Sequence, residues 1–466
     1  MASIPNVVIK ETKTKARGYS NNFIKFLGET ELCVTFRGMS VAHKFFVVSE
    51  EHTSLLGRDL CGKVGIHLEI PSNEEINNVQ NSVLKKYKDY LCDEFQSCVK
   101  KEVSFKLKAD AKPVLMKARP VPLRLKSLVK TELKRLEKAG IIEKVSSSQW
   151  ASPTVNVLKS NNQIRLCGDY SRTINPHLEL SVHPLPSVDD VISKVGNAKI
   201  FSKIDLHSAF LQLPLDKASQ ELSTITTCQG LYQFKFMPFG TCSSPGIFQN
   251  FISELLSEIE NIIVYQDDIL IMTETLEEHN KVLDSVLSTL KQAGMKVNHE
   301  KCEFFTSQVK YLGYIFNESG MHPAKDKIES ILKADAPQNL KQLQSFIGLC
   351  NFYNRFIKGF STVFAPLYKL LHKGVKFIWG KEQQKCFDII KKLFQTKHIL
   401  KPFDTKRLTA IECDASSYGI GCALMQKYPD GWYPVQFVSR CLNAAERNYS
   451  QIEREALSVL FGCIDI

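Results

Sequence analysis

The run Ile262-Ile263-Val264-Tyr265-Gln266-Asp267-Asp268-Ile269-Leu270-Ile271-Met272 sets two adjacent carboxylates between two apolar, β-like segments. A strand–turn–strand reading puts them at the tip of a buried hairpin. Aspartate is also an ordinary turn residue. The density of Ile and Val around the pair argues against that plain reading, because two like charges in apolar surroundings are costly unless a cation neutralises them. Asp205 ends a second apolar run, Ile200-Phe201-Ser202-Lys203-Ile204, and offers a third carboxylate. Three carboxylates from two strands can hold two divalent cations, and Mg²⁺ suits such oxygen ligands, with Mn²⁺ as an alternative. About sixty residues separate Asp205 from Asp267, so the sequence does not establish that they meet.

Charge narrows the partners. The 466 residues carry a formal net charge of +11, and the excess is uneven. Residues 100–150 hold fourteen Lys and Arg against five Asp and Glu. Such a segment suits a polyanion, since each neutralised phosphate releases counterions; a solvated helix face would look similar. The fourteen cysteines form no C-x-x-C pair, which argues against a zinc finger and for buried thiols in a reducing compartment. No apolar stretch reaches the length of a membrane span, and Met1-Ala2-Ser3-Ile4-Pro5 is not a signal peptide. An intracellular protein without a membrane partner is expected.

Along the chain, residues 1–70 read as short strands, including 31–36 and 45–48, and 71–97 as a polar linker. Helical periodicity appears over 127–139, with Gly140 as a C-cap, and over 188–195, 247–259 and 279–293. Between these lie β-like runs at 164–166, 200–206, 262–265, 269–272 and 311–316. Residues 322–395 read as helical, with breaks at Pro337, Pro366 and Gly374. Strands return at 408–413 and 419–426, and a last helix spans about 450–463.

Several stretches together resemble one family. Phe201-Ser202-Lys203-Ile204-Asp205-Leu206-His207-Ser208-Ala209-Phe210, Lys235-Phe236-Met237-Pro238-Phe239-Gly240, Ser244-Pro245-Gly246-Ile247-Phe248-Gln249 and Val264-Tyr265-Gln266-Asp267-Asp268 are similar to motifs of gypsy-type LTR-retrotransposon reverse transcriptases. Ala118-Arg119-Pro120-Val121-Pro122, Trp150-Ala151-Ser152-Pro153, Ile164-Arg165-Leu166-Cys167-Gly168-Asp169-Tyr170 and Tyr311-Leu312-Gly313-Tyr314 fall in the family's order. The resemblance implies an α+β multidomain protein built on a right-hand polymerase. Its parts would be a partial β retropepsin-like N-terminus (1–70), a linker (71–97), fingers and palm (98–320), thumb and connection (321–403) and a partial ribonuclease H-like α/β portion (404–466).

It also implies roles. Asp205, Asp267 and Asp268 would be the catalytic, metal-holding carboxylates of an RNA-directed DNA polymerase acting on an RNA or DNA template-primer and dNTPs. Lys159 and Arg165 would hold the incoming triphosphate by charge-assisted hydrogen bonds. Phe210 would be the steric gate that excludes a 2′-hydroxyl, and Phe239 a wall of the nucleotide pocket. Tyr311, Leu312 and Gly313 would form the primer grip. Lys333, Lys341, Arg355 and Lys358 would be available to a thumb that grips duplex backbone.

Two flanking resemblances are incomplete. Glu412-Cys413-Asp414-Ala415-Ser416 and Asn448-Tyr449-Ser450-Gln451-Ile452-Glu453-Arg454-Glu455 resemble the start of a ribonuclease H domain. Asp414 and Glu455, with Glu453 as the neighbouring alternative, would be two of its four metal-binding carboxylates, so no appreciable ribonuclease H activity is expected. Leu55-Leu56-Gly57-Arg58-Asp59 resembles a motif near the end of a retropepsin, but no Asp-Thr/Ser-Gly is present and protease activity is not expected. Two other readings stay in view: a catalytically dead nucleic-acid-binding protein, and an RNA replicase, which the aromatic Phe210 opposes. The family implies a cytoplasmic location, within element particles, or the nucleus.

Overall fold

A computed structural model describes residues 10, 16–17, 23–24, 26–36, 39–48, 86–87, 90, 98, 101–158, 164–180, 183–396 and 399–466. The motif at 55–59, most of the expected linker 71–97, and Lys159 lie outside the described residues. The chain divides into two compact units, Met1–Ile76 and Asn77–Ile466. In the first, β1 (Ala16–Arg17) pairs with β2 (Phe23–Ile24), and β3 (Phe26–Phe36) pairs with β4 (Met39–Val48), both antiparallel. The strands expected at 31–36 and 45–48 are the arms of that longer hairpin.

In the second unit α1 (Leu123–Lys138) is the helix of the basic segment. Val129, Leu133 and Leu136 recur at helical spacing and are buried, while Arg124, Lys126, Lys130, Lys134 and Lys138 are exposed. Gly140, at φ 70°, takes the left-handed position just past its end. Then follow β5 (Ile142–Val145), β6 (Ser152–Leu158), β7 (Ile164–Gly168), α2 (Val188–Val195), β8 (Ile200–Asp205), α3 (Lys217–Leu222), β9 (Ile225–Thr227) and β10 (Gly230–Phe234). α4 (Ser244–Leu255), β11 (Ile262–Tyr265), β12 (Asp268–Thr273), α5 (Leu276–Gln292) and β13 (Glu303–Thr306) come next.

Two sheets organise these elements. One has five strands in the order β5-β10-β9-β6-β7. The other has four, β11-β12-β8-β13, all antiparallel. The hairpin strands are apolar without a break over Ile262 to Val264 and Ile269 to Met272, because helices cover the sheet: α2 and α4 pack on β11 and α5 packs on β12 and β8. Ile262, Ile263, Val264 and Ile269 to Met272 are all buried.

A histidine lies inside this layer. His279, on α5, is fully buried; its Nε2 is 2.6 Å from the Ser202 hydroxyl and its Nδ1 is 2.8 Å from the Thr273 hydroxyl. Burial pushes its pKa down from 6.5 to about 4, so the ring is neutral in the fold. Between these two values the unfolded chain binds the extra proton. Stability from the neutral ring is therefore complete above about pH 6.5 and is lost as pH falls toward 4. Of roughly 3 kcal/mol in all, about 2 kcal/mol should be lost between pH 7 and pH 5. Urea unfolding at the two pH values measures this, and a His279→Gln chain should lose most of that slope. Equal pH dependence in both chains would refute the assignment.

Beyond β13 the chain forms β14 (Gln308–Tyr311), β15 (Tyr314–Asn317) and β16 (Gly320–Pro323), a three-stranded antiparallel sheet. The run 311–316, expected as one strand, is a hairpin corner. Leu312 (φ 46°) and Gly313 (φ 83°) are both left-handed, as a two-residue hairpin turn with strand-like twist requires. Four helices follow: α6 (Lys325–Lys333), α7 (Leu340–Asn351), α8 (Phe360–Lys369) and α9 (Lys381–Gln395). Pro366, expected as a break, sits inside α8. It forfeits one backbone hydrogen bond, but Phe360, Phe364 and Leu367 anchor the helix in the core. One buried cluster joins α2 and β8 to β14–β16 and α6–α9 through Val191, Phe201, Tyr311, Leu343, Phe364 and Phe387. The regions expected as palm and thumb thus share a core.

At the end, β17 (Thr409–Ala415), β18 (Gly419–Tyr428) and β19 (Gly431–Cys441) form an antiparallel sheet against α10 (Gln451–Asp465). The sequence reading did not anticipate β19. Pro434 disguises it, and the register shift opposite Leu424 and Met425 absorbs that proline. Among the described residues, no helix is long and apolar enough to cross a membrane.

Candidate active site

Antiparallel register brings the distant carboxylates together. Asp268, the first residue of β12, is directly opposite Asp205, the last of β8. Tyr265 and Asp268 face each other across the hairpin, so Gln266 and Asp267 form its two-residue tip. The Leu206 amide donates to the Asp267 carbonyl at 2.9 Å, which ties the tip to the end of β8. Gln266 is left-handed at φ 53°, a strained state for a residue with a side chain.

Gln249 holds that turn. It is buried on α4; its Nε2 donates to the Val264 carbonyl at 2.9 Å and its Oε1 accepts the Gln266 amide at 2.7 Å. Tyr311 adds a support from β14, its hydroxyl donating to the Asp268 carbonyl at 3.1 Å. The sequence reading did not assign Gln249 a role. A polar side chain on the buried face of an amphipathic helix was the available signal.

The carboxylates are held in an electrostatically unfavourable place. Burial, and then the neighbouring Asp268 and Asp267, push the pKa of Asp205 up, with Lys301 opposing. Burial likewise pushes up that of Asp268, with Lys203 opposing. Lys203 Nζ is 3.1 Å from Asp268 and Lys301 Nζ 3.7 Å from Asp205. The sequence reading assigned neither lysine. As placed, no three Asp, Glu, His or Cys side chains among the described residues converge tightly enough to cage an ion. The donor set suits a divalent cation all the same. Two half-buried carboxylates face each other with raised pKa values, and the lysine on Asp205 is long-range and two-thirds exposed.

Three of the four residues expected at the nucleotide, Arg165, Phe210 and Phe239, lie near one another. Phe210 follows β8 in a short 3₁₀ turn, and its ring centroid is 5.3 Å from that of Phe239 and 5.5 Å from that of Phe248. The exposed Arg165 guanidinium, on β7, lies 5.6 Å from the Phe239 ring centroid. Gly240 allows this approach: at φ 101°, any Cβ would lie 2.6 Å from the Gly168 carbonyl oxygen at the end of β7. Lys159, expected to share the triphosphate with Arg165, lies outside the described residues.

The ribonuclease H-like carboxylates differ in their surroundings. Asp414 is on β17 and Glu455 on α10. Gln451 Nε2 donates both to the Ala415 carbonyl (3.1 Å) and to Glu455 (3.0 Å), so Glu455 lies beside the end of β17. Glu453 instead caps its own helix, accepting the Ser450 amide at 2.7 Å, and that bond holds its pKa down.

A carboxylate-tipped hairpin on a four-stranded antiparallel sheet, flanked by a five-stranded sheet and a helical region, is the architecture of the right-hand polymerase fold. Residues 108–316 match the family model for reverse transcriptase (RNA-dependent DNA polymerase), and residues 379–465 match the RNase H-like domain found in reverse transcriptase. The chain carries a reverse-transcriptase domain followed by that RNase H-like domain, and it is homologous to gypsy-type LTR-retrotransposon polyproteins. Transposon Tf2-3 and Tf2-7 polyproteins of Schizosaccharomyces pombe are each 29% identical to it over 451 residues, covering 92% of this chain and 34% of theirs. The chain thus spans about a third of the length of these relatives. In fold it is similar to a foamy viral protease-reverse transcriptase dRH in complex with double-stranded DNA (TM-score 0.77, 21% identity, 99% of this chain and 84% of that one). It is also similar to a foamy viral protease-reverse transcriptase in complex with RNA/DNA hybrid (TM-score 0.73, 21% identity, 98% and 64%).

Proposed function

We propose that this chain extends the 3′ end of a primer on an RNA or DNA template, taking dNTPs as substrate. The reading rests chiefly on the register that sets Asp268 opposite Asp205, with Asp267 tied beside them. In this reading Asp205, Asp267 and Asp268 hold Mg²⁺, or Mn²⁺. Bound there, the ions would supply charge neutralisation and a lowered pKa for the primer hydroxyl. The chain's own residues supply alignment. Arg165 contacts the triphosphate, with Lys159 as its partner. Phe239 walls the pocket and Phe210 lies under the sugar. Tyr311, Leu312 and Gly313 set the primer terminus, and in such a reaction positioning accounts for much of the rate.

Lys126, Lys130 and Lys134, on the exposed side of α1, suit phosphate contacts. The duplex partners named for the foamy viral structures support a template-primer here. Asp414 and Glu455 are proposed as a partial ribonuclease H site.

The test is incorporation of dTTP on primed poly(rA) with Mg²⁺ or Mn²⁺. Incorporation by the wild-type chain and none by Asp267→Asn is expected. No incorporation, or equal incorporation by both chains, removes the polymerase reading.

A further inference from the structure

The turn read above as the primer grip is held from outside by a residue to which the sequence reading gave no role. Tyr353 follows α7 and is 1% exposed, and its hydroxyl donates to the Gly313 carbonyl at 2.8 Å. Its neighbour Phe352 stacks on Tyr314, with ring centroids 5.0 Å apart and planes 15° apart. The Tyr314 hydroxyl donates back to the Phe352 carbonyl at 2.9 Å. A Cβ on Gly313 would lie 3.0 Å from the Phe352 ring, so the turn is packed against this corner as well as bonded to it. Arg355, two residues on, forms a two-pronged ion pair with Asp189 of α2, at 2.9 and 3.3 Å. α2 itself packs on β11 and β12.

We infer that Tyr353 is a positioning residue for polymerisation: its hydroxyl fixes the Leu312-Gly313 turn, and thereby the primer terminus, relative to Asp268. The physical case has two parts. Leu312 is a side-chain-bearing residue in a left-handed conformation, a state that persists only where surrounding contacts over-determine it. The same hairpin is bonded at its other side to the carboxylate centre, through Tyr311 and the Asp268 carbonyl. Tyr311 fixes the distance to the chemistry and Tyr353 fixes the tip. A two-residue turn bonded on one side only can rock about that bond, and a small displacement of a reacting atom is costly in rate. The contacts run from the corner after α7, through the turn, to Asp268 beside the tip of the catalytic hairpin without a gap.

This inference rests on the polymerase reading, and Tyr353→Phe separates the two. The substitution removes one hydroxyl and leaves the packed ring. In Tyr353→Phe the maximal incorporation rate should fall about three- to tenfold, the loss of one ordinary hydrogen bond. The KM for dTTP and the Kd for template-primer should stay within about twofold, and the melting temperature close to wild type. Amide hydrogen exchange of a peptide covering 308–316 should quicken, with exchange in β17 and β18 unchanged. A wild-type chain that incorporates, beside a Tyr353→Phe chain equal to it in rate and in exchange, overturns the inference alone. A uniform drop in rate, affinity and melting temperature also overturns it, by showing a purely structural role. A wild-type chain that incorporates nothing overturns the polymerase reading and this inference with it.

Discussion

Asp205→Asn is expected to reduce nucleotide incorporation at least about a hundredfold, some 3 kcal/mol of transition-state stabilisation, while leaving the fold intact. The activity half of this expectation follows from the register. Asp205 is the carboxylate directly across from Asp268, and an amide there has the same shape without the charge. The stability half follows from the sign of the pKa shift. Burial and two neighbouring carboxylates push Asp205 up, so its charged form is less favourable in the fold than in the open chain. A group of this kind contributes most to stability when protonated, and that contribution declines as pH rises through its pKa. A neutral Asn at neutral pH should therefore leave the melting temperature unchanged or raise it. The pair with Lys301 is long, at 3.7 Å, and losing it costs little. Incorporation kinetics and thermal unfolding of the same preparation check both halves. An inactive chain that also melts much earlier would point to a structural aspartate instead.

Phe210→Val should weaken discrimination between deoxyribo- and ribonucleotides by about ten- to two-hundredfold, the range that shape exclusion in an apolar pocket commands. The ratio of kcat/KM for dTTP to that for UTP measures it. Phe210 touches both Phe239 and Phe248, so the change also removes packing, and a loss of about 1–3 kcal/mol in stability is expected. Phe239→Val is the control. It removes comparable packing from the same cluster but leaves the gate ring in place, so it should lower dNTP affinity without admitting UTP. Unchanged discrimination in Phe210→Val would reject the gate.

Several elements were legible because their pattern is local. The apolar spacing of Leu128, Leu133 and Leu136 marks α1, although the structure buries Val129 rather than Leu128 beside the other two, and Val188–Val195 has the boundaries that its periodicity predicts. The runs flanking Gln266 and Asp267 are strands because nothing but a doubly covered sheet accommodates so many adjacent Ile and Val side chains. Pro366 and the stretch 311–316 show where local reasoning fails. A helix keeps an internal proline when the core holds both of its ends, and a short β run splits when its middle turns left-handed. Local spacing carries no record of either condition.

The candidate site residues could be marked from the sequence alone. A Y-x-D-D between apolar strands, an aspartate ending another strand, and an aromatic five residues beyond it are written in consecutive letters. Tertiary structure alone decided what those residues face. It set Asp268 opposite Asp205, laid Lys203 and Lys301 against the two carboxylates, and bonded Gln249 and Tyr353 to the two turns. The reason is physical. Carboxylate pKa, turn strain and ring contact depend on distances between segments well separated along the chain, and only strand register and helix packing fix such distances.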